Sequence, residues 1–158
     1  MDPMFLTPLD ADQQRAQGLA EPQPYAVADR VRFAELDNQN HVNNKAYLSW
    51  FEAVRVSYFD RFCLGHFNGV RPRILLHSVH LRYVREMLRD EDYVATARVA
   101  AFRQTSFTMD QQLWSGDLRA RMSAVVVLGT PDGEGRIALP DPLRAQLVEM
   151  DRALDETA

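Results

Sequence analysis

The chain has a single cysteine, Cys63, so no disulfide can form within it and no zinc site of several thiolates can be built. It has no apolar run approaching the roughly 20 residues needed to span a bilayer. Its N-terminus lacks the basic-then-hydrophobic order of a secretory signal. Positive charge is not in surplus: 18 Lys and Arg stand against 22 Asp and Glu, a formal net charge of -4. That balance argues against a nucleic-acid partner, which requires a basic face or stripe. The chain also lacks a GxSxG elbow, a GxxxxGK phosphate loop, a GxGxxG fingerprint and an HExxH pair. A serine hydrolase, a P-loop nucleotide hydrolase, a Rossmann dehydrogenase and a zinc peptidase each lose their sequence support. There is no internal repeat, and the expectation is a soluble, cytoplasmic protein with no membrane span.

At 158 residues the chain suits one domain that buries roughly two-thirds of its unfolded surface. Residues 1–24 have little periodicity and read as a partly mobile N-terminal extension, with a helical turn over 12–17. Residues 25–158 read as a single domain. A first strand is expected over 25–33. A helix follows over 44–62, because Tyr47, Trp50, Phe51, Val54, Tyr58 and Phe62 recur at spacings of three and four. Ala46, Leu48, Ala53 and Phe59 widen that stripe to a helix covered on most sides, with Gly65 as a left-handed terminator. Glu52 and Arg55, three apart, are expected to pair.

Beyond Pro72 the period changes from helical to alternating. Leu75, Val79, Leu81 and Tyr83 are expected on one strand face, and Tyr93, Ala95, Ala97, Val99 and Ala101 on the next. Phe107, Met109 and Leu113 follow, then Leu118, Ala120, Met122, Ala124, Val126 and Leu128. Short polar joints between these runs imply an antiparallel meander. A short amphipathic helix over 142–154 closes the domain. The whole is an α+β layout whose one helix cannot cover all of the sheet, so a homodimer or a dimer of dimers is expected. Cys63 reads as a buried, inert thiol. Arg71, Arg73, Arg82, Arg85 and Arg89 form either a solvated strand face or a contact for a phosphorylated ligand.

The loop between first strand and helix carries the chemistry. Asp37 is either a carboxylate that attacks a carbonyl or activates water, or a cap for its own loop. His41 could orient that acid, act as acid or base, or be satisfied by backbone. Asn43 and Asn44 suit the helix cap, and the free N–H groups at the helix start could hold a developing oxyanion. Tyr47 belongs either to the core or to an acyl pocket.

The run Asp37-Asn38-Gln39-Asn40-His41-Val42-Asn43-Asn44, followed by Tyr47 and Glu52-Ala53-Val54-Arg55, closely resembles the 4-hydroxybenzoyl-CoA thioesterase-like branch of the hotdog-fold acyl-CoA thioesterases. The resemblance covers roughly residues 25–130. It implies a hotdog fold, in which a five-stranded antiparallel sheet wraps a long central helix, with sites at subunit interfaces and no metal or bound cofactor. It implies an acyl-CoA, or acyl-carrier-protein, thioester as substrate, hydrolysed to free acid and thiol. By position, Asp37 corresponds to the catalytic carboxylate and the N–H near Asn44 to the donor for the thioester oxygen. His41, Val42 and Asn43 shape the pocket. Asn40 stands where the family has glycine; Asn tolerates positive φ, but its side chain could narrow the pocket. Two other readings stay open: a hotdog enoyl-CoA hydratase or dehydratase, and a non-catalytic acyl-CoA-binding protein.

Overall fold

The computed structural model describes residues 4–158; residues 1–3 of the expected extension lie outside the described residues. Helix α2 (Asn44–Phe62) begins where its cap predicts: Asn43 is extended, and its Oδ1 accepts the Ala46 N–H at 3.0 Å. Its end departs from expectation. A 3-10 turn over Leu64–Phe67 continues the chain, and Asn68 (φ 53°), not Gly65, takes the left-handed position. Asn can do this because its short polar side chain bonds locally.

Strands β1 (Tyr25–Arg30), β2 (Arg73–Tyr83), β3 (Asp92–Phe102), β4 (Ser106–Ser115) and β5 (Asp117–Gly129) form the sheet in the order β1-β3-β4-β5-β2, every neighbour antiparallel. A two-residue strand, β6 (Leu154–Asp155), adds in parallel to β3. Short helices α1 (Ala11–Ala16) and α3 (Asp141–Asp151) lie near the ends. With α2 against one face of this sheet, the chain has the α+β hotdog architecture. The first strand stops at Arg30 rather than continuing through Phe33. Glu35 accepts the Arg32 N–H at 2.8 Å and closes a 3-10 turn over Phe33–Glu35, leaving Phe33 exposed.

Three register irregularities revise the predicted strand faces; the one on β5 skips Arg119, so Leu118 lies opposite Trp114 and off the core face of Ala120 and Met122. On β2 the register skips between Leu76 and Ser78, so Ile74, Leu76, Val79, Leu81 and Tyr83 lie opposite the core residues of β5, while Leu75 turns outward. On β3 the skip between Val99 and Ala101 brings Phe102, not Ala101, into the core opposite Phe107. A bulge inserts one residue and flips every later side chain to the other face.

The main core lies between α2 and the sheet, with Phe51, Tyr58 and Phe59 against Val99, Phe107, Met109 and Met122. The expected Glu52–Arg55 pair is replaced by another arrangement. Arg55 is buried and donates to Gln111 Oε1 at 3.2 Å, Gln111 donates to the Phe51 carbonyl at 2.9 Å, and Glu52 stays exposed. Cys63 is buried, and burial pushes its thiol up to about 12.

In the N-terminal segment a capping box between Asp10 and Gln13 starts α1. The buried Gln14 side chain accepts the Gln23 N–H at 2.7 Å, and Leu9 and Leu19 pack on Ala26, Ala28 and Val94 over the sheet's outer face. Residues 5–9 run along the free side of β1, where the Leu6 and Leu9 N–H groups donate to Ala28 and Ala26 at 2.9 Å. The β2 edge has no such cover among the described residues. No helix among the described residues is long and apolar enough to cross a membrane.

Candidate active site

The loop from Leu36 to Val42 folds on itself by local hydrogen bonding. The Asp37 N–H donates to the His41 carbonyl at 2.7 Å, and Asp37 Oδ1 accepts the N–H groups of Gln39 at 2.8 Å and His41 at 3.1 Å. Asp37 therefore caps its own loop with one oxygen, while Oδ2 accepts no hydrogen bond among the described residues. Asn40 has φ of 61°, the left-handed conformation that the turn needs at this position.

Glu35 braces the loop against the helix. Its carbonyl accepts the Asn43 N–H at 2.9 Å, and its carboxylate accepts the Trp50 indole N–H. On the other side the loop is pinned to the segment after β2. The Val42 N–H donates to the Met87 carbonyl at 3.0 Å, and His41 forms a bridge with Leu88. Asn44 and Lys45 open α2, so their N–H groups have no intrahelical acceptor. The positive end of the helix dipole adds to their pull on an anion.

These elements surround an open cavity of about 460 Å³, lined by Asp37, His41, Val42, Asn43, Asn44 and Tyr47 together with Tyr83, Val84, Arg85 and Glu86. Of the seven candidate site residues Asp37, Asn40, His41, Val42, Asn43, Asn44 and Tyr47, only Asn40 is absent from the lining. Tyr47 proves to be both core and wall: it is buried, its ring meets Tyr83 edge-on at 5.0 Å, and burial holds its phenol above the usual range. Of the wall at 83–86, Tyr83 was read only as a strand-face residue and Arg85 only as one of a basic cluster, while Val84 and Glu86 were missed; no spacing places any of them at the loop, because only tertiary folding brings them there. Glu86 matters most: its Oε2 lies 3.1 Å from His41 Nδ1. Arg119 holds this wall in place, accepting the Val84 N–H on its carbonyl at 2.8 Å and donating to the Glu86 carbonyl at 2.8 Å and to Glu91 at 3.0 Å.

The basic cluster disperses, and of its five members Arg85 lines the cavity. Arg71 pairs with Asp60 at 2.6 Å, Arg85 with Asp117, and Arg89 lies over the Phe33 ring at 5.2 Å. His77 falls at the β2 bulge and His80 on the outer face, both away from the cavity.

A carboxylate with one oxygen not engaged in its loop and the open start of a helix line one cavity, an arrangement suited to a carbonyl. The chain belongs to the thioesterase-like superfamily, whose family model matches residues 31–152. A thioesterase-superfamily protein from Jannaschia sp. CCS1 is 43% identical, with a TM-score of 0.88 over 97% of this chain and 99% of that one. A thioesterase from Thermus thermophilus, solved in complex with coenzyme A and Zn, is 25% identical, with a TM-score of 0.70 over 84% of this chain and 97% of that one. Uncharacterized protein YsmA of Bacillus subtilis (strain 168) is 29% identical over 79 residues, 50% of this chain and 53% of that one, so the match spans about half the length of that relative.

Proposed function

We propose that the protein hydrolyses an acyl-CoA thioester to free acid and thiol, with Asp37 as nucleophile or general base. The observation that carries this reading is the shared cavity, which Asp37 and the opening residues of α2 line together. In it, a thioester carbonyl would accept the Asn44 N–H. Charge developing on that oxygen meets preorganised donors in a site that need not reorganise. Asp37, held by the Gln39 and His41 N–H groups through one oxygen, would present the other to the acyl carbon or to a water beside it. The thiol leaves as thiolate, so the site needs no strong acid. His41, steadied by Glu86, would keep the loop in place. Coenzyme A as the thiol half is supported by the complex of the Thermus thermophilus relative.

The bare β2 edge, with Leu76, Val79 and Tyr83 of β2 exposed on it, supports a dimer formed along this edge. The site wall begins at Tyr83, the last residue of β2, and runs on to Glu86, so a second copy there would complete the cavity.

Asp37→Asn is the test. Asn keeps a carbonyl oxygen for the Gln39 and His41 N–H groups, so the loop should hold while chemistry stops. Thiol release across a graded acyl-CoA series should fall by about 10² or more, in line with the loss of general-base catalysis. Near-full hydrolysis by the variant would overturn the assignment. Loss of enoyl-CoA absorbance without thiol release by the wild-type protein would make it a hydratase. Tight acyl-CoA binding without thiol release at any chain length would make it a binding protein.

A further inference from the structure

A second cavity, of about 300 Å³, lies on the opposite side of α2 from the β2 edge, between the helix and β1 and β3. Its walls are mostly aromatic and aliphatic: Trp50, Val54, Tyr25, Tyr93, Ala95 and, at the mouth, Leu6. It shares no lining residue with the Asp37 cavity; the Tyr47–Trp50 ring pair, 5.5 Å between centroids, separates the two.

Three features mark it as built rather than left over. It pairs an apolar body with a few polar groups, the pattern of small-molecule sites: the Tyr25 hydroxyl and Ser57 Oγ lie 2.5 Å apart, and Asp29 stands nearby, ion-paired to Arg32 at 3.0 Å. Leu6 is 69% exposed and has φ of 60°. A non-glycine residue held in that region is strained, and such strain clusters at ligand clamps, active sites and switch regions. Finally, the cavity touches the catalytic loop through one hydrogen bond, since the Trp50 indole N–H is held by Glu35, two residues before Asp37.

We infer that this cavity binds a neutral, compact apolar molecule carrying a hydroxyl, which packs on Trp50 and Tyr93 and bonds the Tyr25–Ser57 pair, and that its occupancy is felt at the Asp37 loop through Trp50 and Glu35. A carboxylate ligand is disfavoured by Asp29. At roughly 30 Å³ per water-sized group, the space takes about ten non-hydrogen atoms. The coupling to turnover rests on the thioesterase reading; the binding does not.

Cyclohexanol is a suitable probe because it is neutral, carries one hydroxyl and does not absorb with tryptophan. In a Trp114→Phe protein, Trp50 is the one remaining tryptophan, and saturable cyclohexanol binding should shift its fluorescence. Ala53→Leu, which fills the cavity from an exposed helix position, should weaken that binding at least tenfold, and Leu6→Gly, which relieves the strained mouth, should preserve it. Asp37→Asn should bind cyclohexanol as wild type does, so this arm holds even if hydrolysis is never found. In the active enzyme, cyclohexanol should change kcat without competing with acyl-CoA. No saturable shift of Trp50, or binding unaffected by Ala53→Leu, would overturn the site. Purely competitive inhibition would also overturn it, because the cavity would then be the acyl compartment of the substrate itself.

Discussion

Asp151 shows how a single side chain can carry a cost that its neighbours only partly offset. It is 2% exposed; its Oδ2 accepts the Tyr58 hydroxyl and the Val99 N–H at 2.7 Å, while its buried Oδ1 has no partner among the described residues. Desolvation raises its pKa above the ordinary carboxylate range, against the pull of those two donors and of Arg98. A carboxyl whose folded pKa is raised contributes most stability below its unfolded value. That contribution is lost as pH rises through the folded value, where a charge must be held in the core. Asp151→Asn preserves an oxygen for Tyr58 and Val99 and removes the charge. The variant should match wild type in acid and become the more stable of the two as pH climbs through the raised value and beyond. Thermal denaturation at a series of pH values checks this, and parallel curves would refute it. At the same scale, Asn40 and Asn68 were readable only in part: composition allows Asn at positive φ, but that Asn68 and not Gly65 takes it depends on the 3-10 turn between them.

At the scale of the element, α2 is the most legible part of the chain and also the most consequential. Its cap, its length and its buried stripe all follow from local rules, and its first N–H groups are the proposed oxyanion donors. Asn43→Ala removes the bond to the Ala46 N–H and should cost about 1 kcal/mol. That corresponds to a fall in Tm of roughly 2–4 °C at this chain length. Turnover should fall further than the stability loss explains, because the donors at Asn44 and Lys45 lose their fixed direction. Thiol release measured well below the melting range separates the two effects, and kcat unchanged despite a lower Tm would refute the link. The wall opposite the helix was hardly legible: Tyr83 and Arg85 stood out, but nothing tied them to the loop. Glu86 reaches His41, and Arg119 fixes the segment carrying Glu86, through contacts that cross 33 or more residues of chain.

For the whole molecule, the two edges of the sheet tell different stories. The β1 side is closed by residues 5–9 and by β6, whereas the 11-residue strand β2, paired with β5 on one side, has no cover on its other side among the described residues and carries exposed apolar side chains. An edge left long and apolar is a template for another chain. If a second copy pairs there, Val79→Lys, at a position already exposed in the single chain, should leave the fold intact and halve the mass seen by light scattering or sedimentation. Acyl-CoA hydrolysis should drop with it, since the 83–86 wall begins at the last residue of β2. A wild-type protein that sediments as one subunit at micromolar concentration would refute the assembly.

What the chain determines by itself is whatever short-range physics can decide: the helix over 44–62 from its period and cap, the strands from their alternation, and the loop acid beside a helix start. The resemblance to acyl-CoA thioesterases rests on the same contiguous run. Tertiary structure alone decided the rest. The bulges at His77 and Ala100 reset which side chains face the core, because one inserted residue inverts a period of two. Arg55 turned from Glu52 to Gln111 once both were packed against the sheet. Glu86 met His41, and Leu6 came to roof a second cavity, because each depends on where distant segments come to rest, which no local pattern encodes.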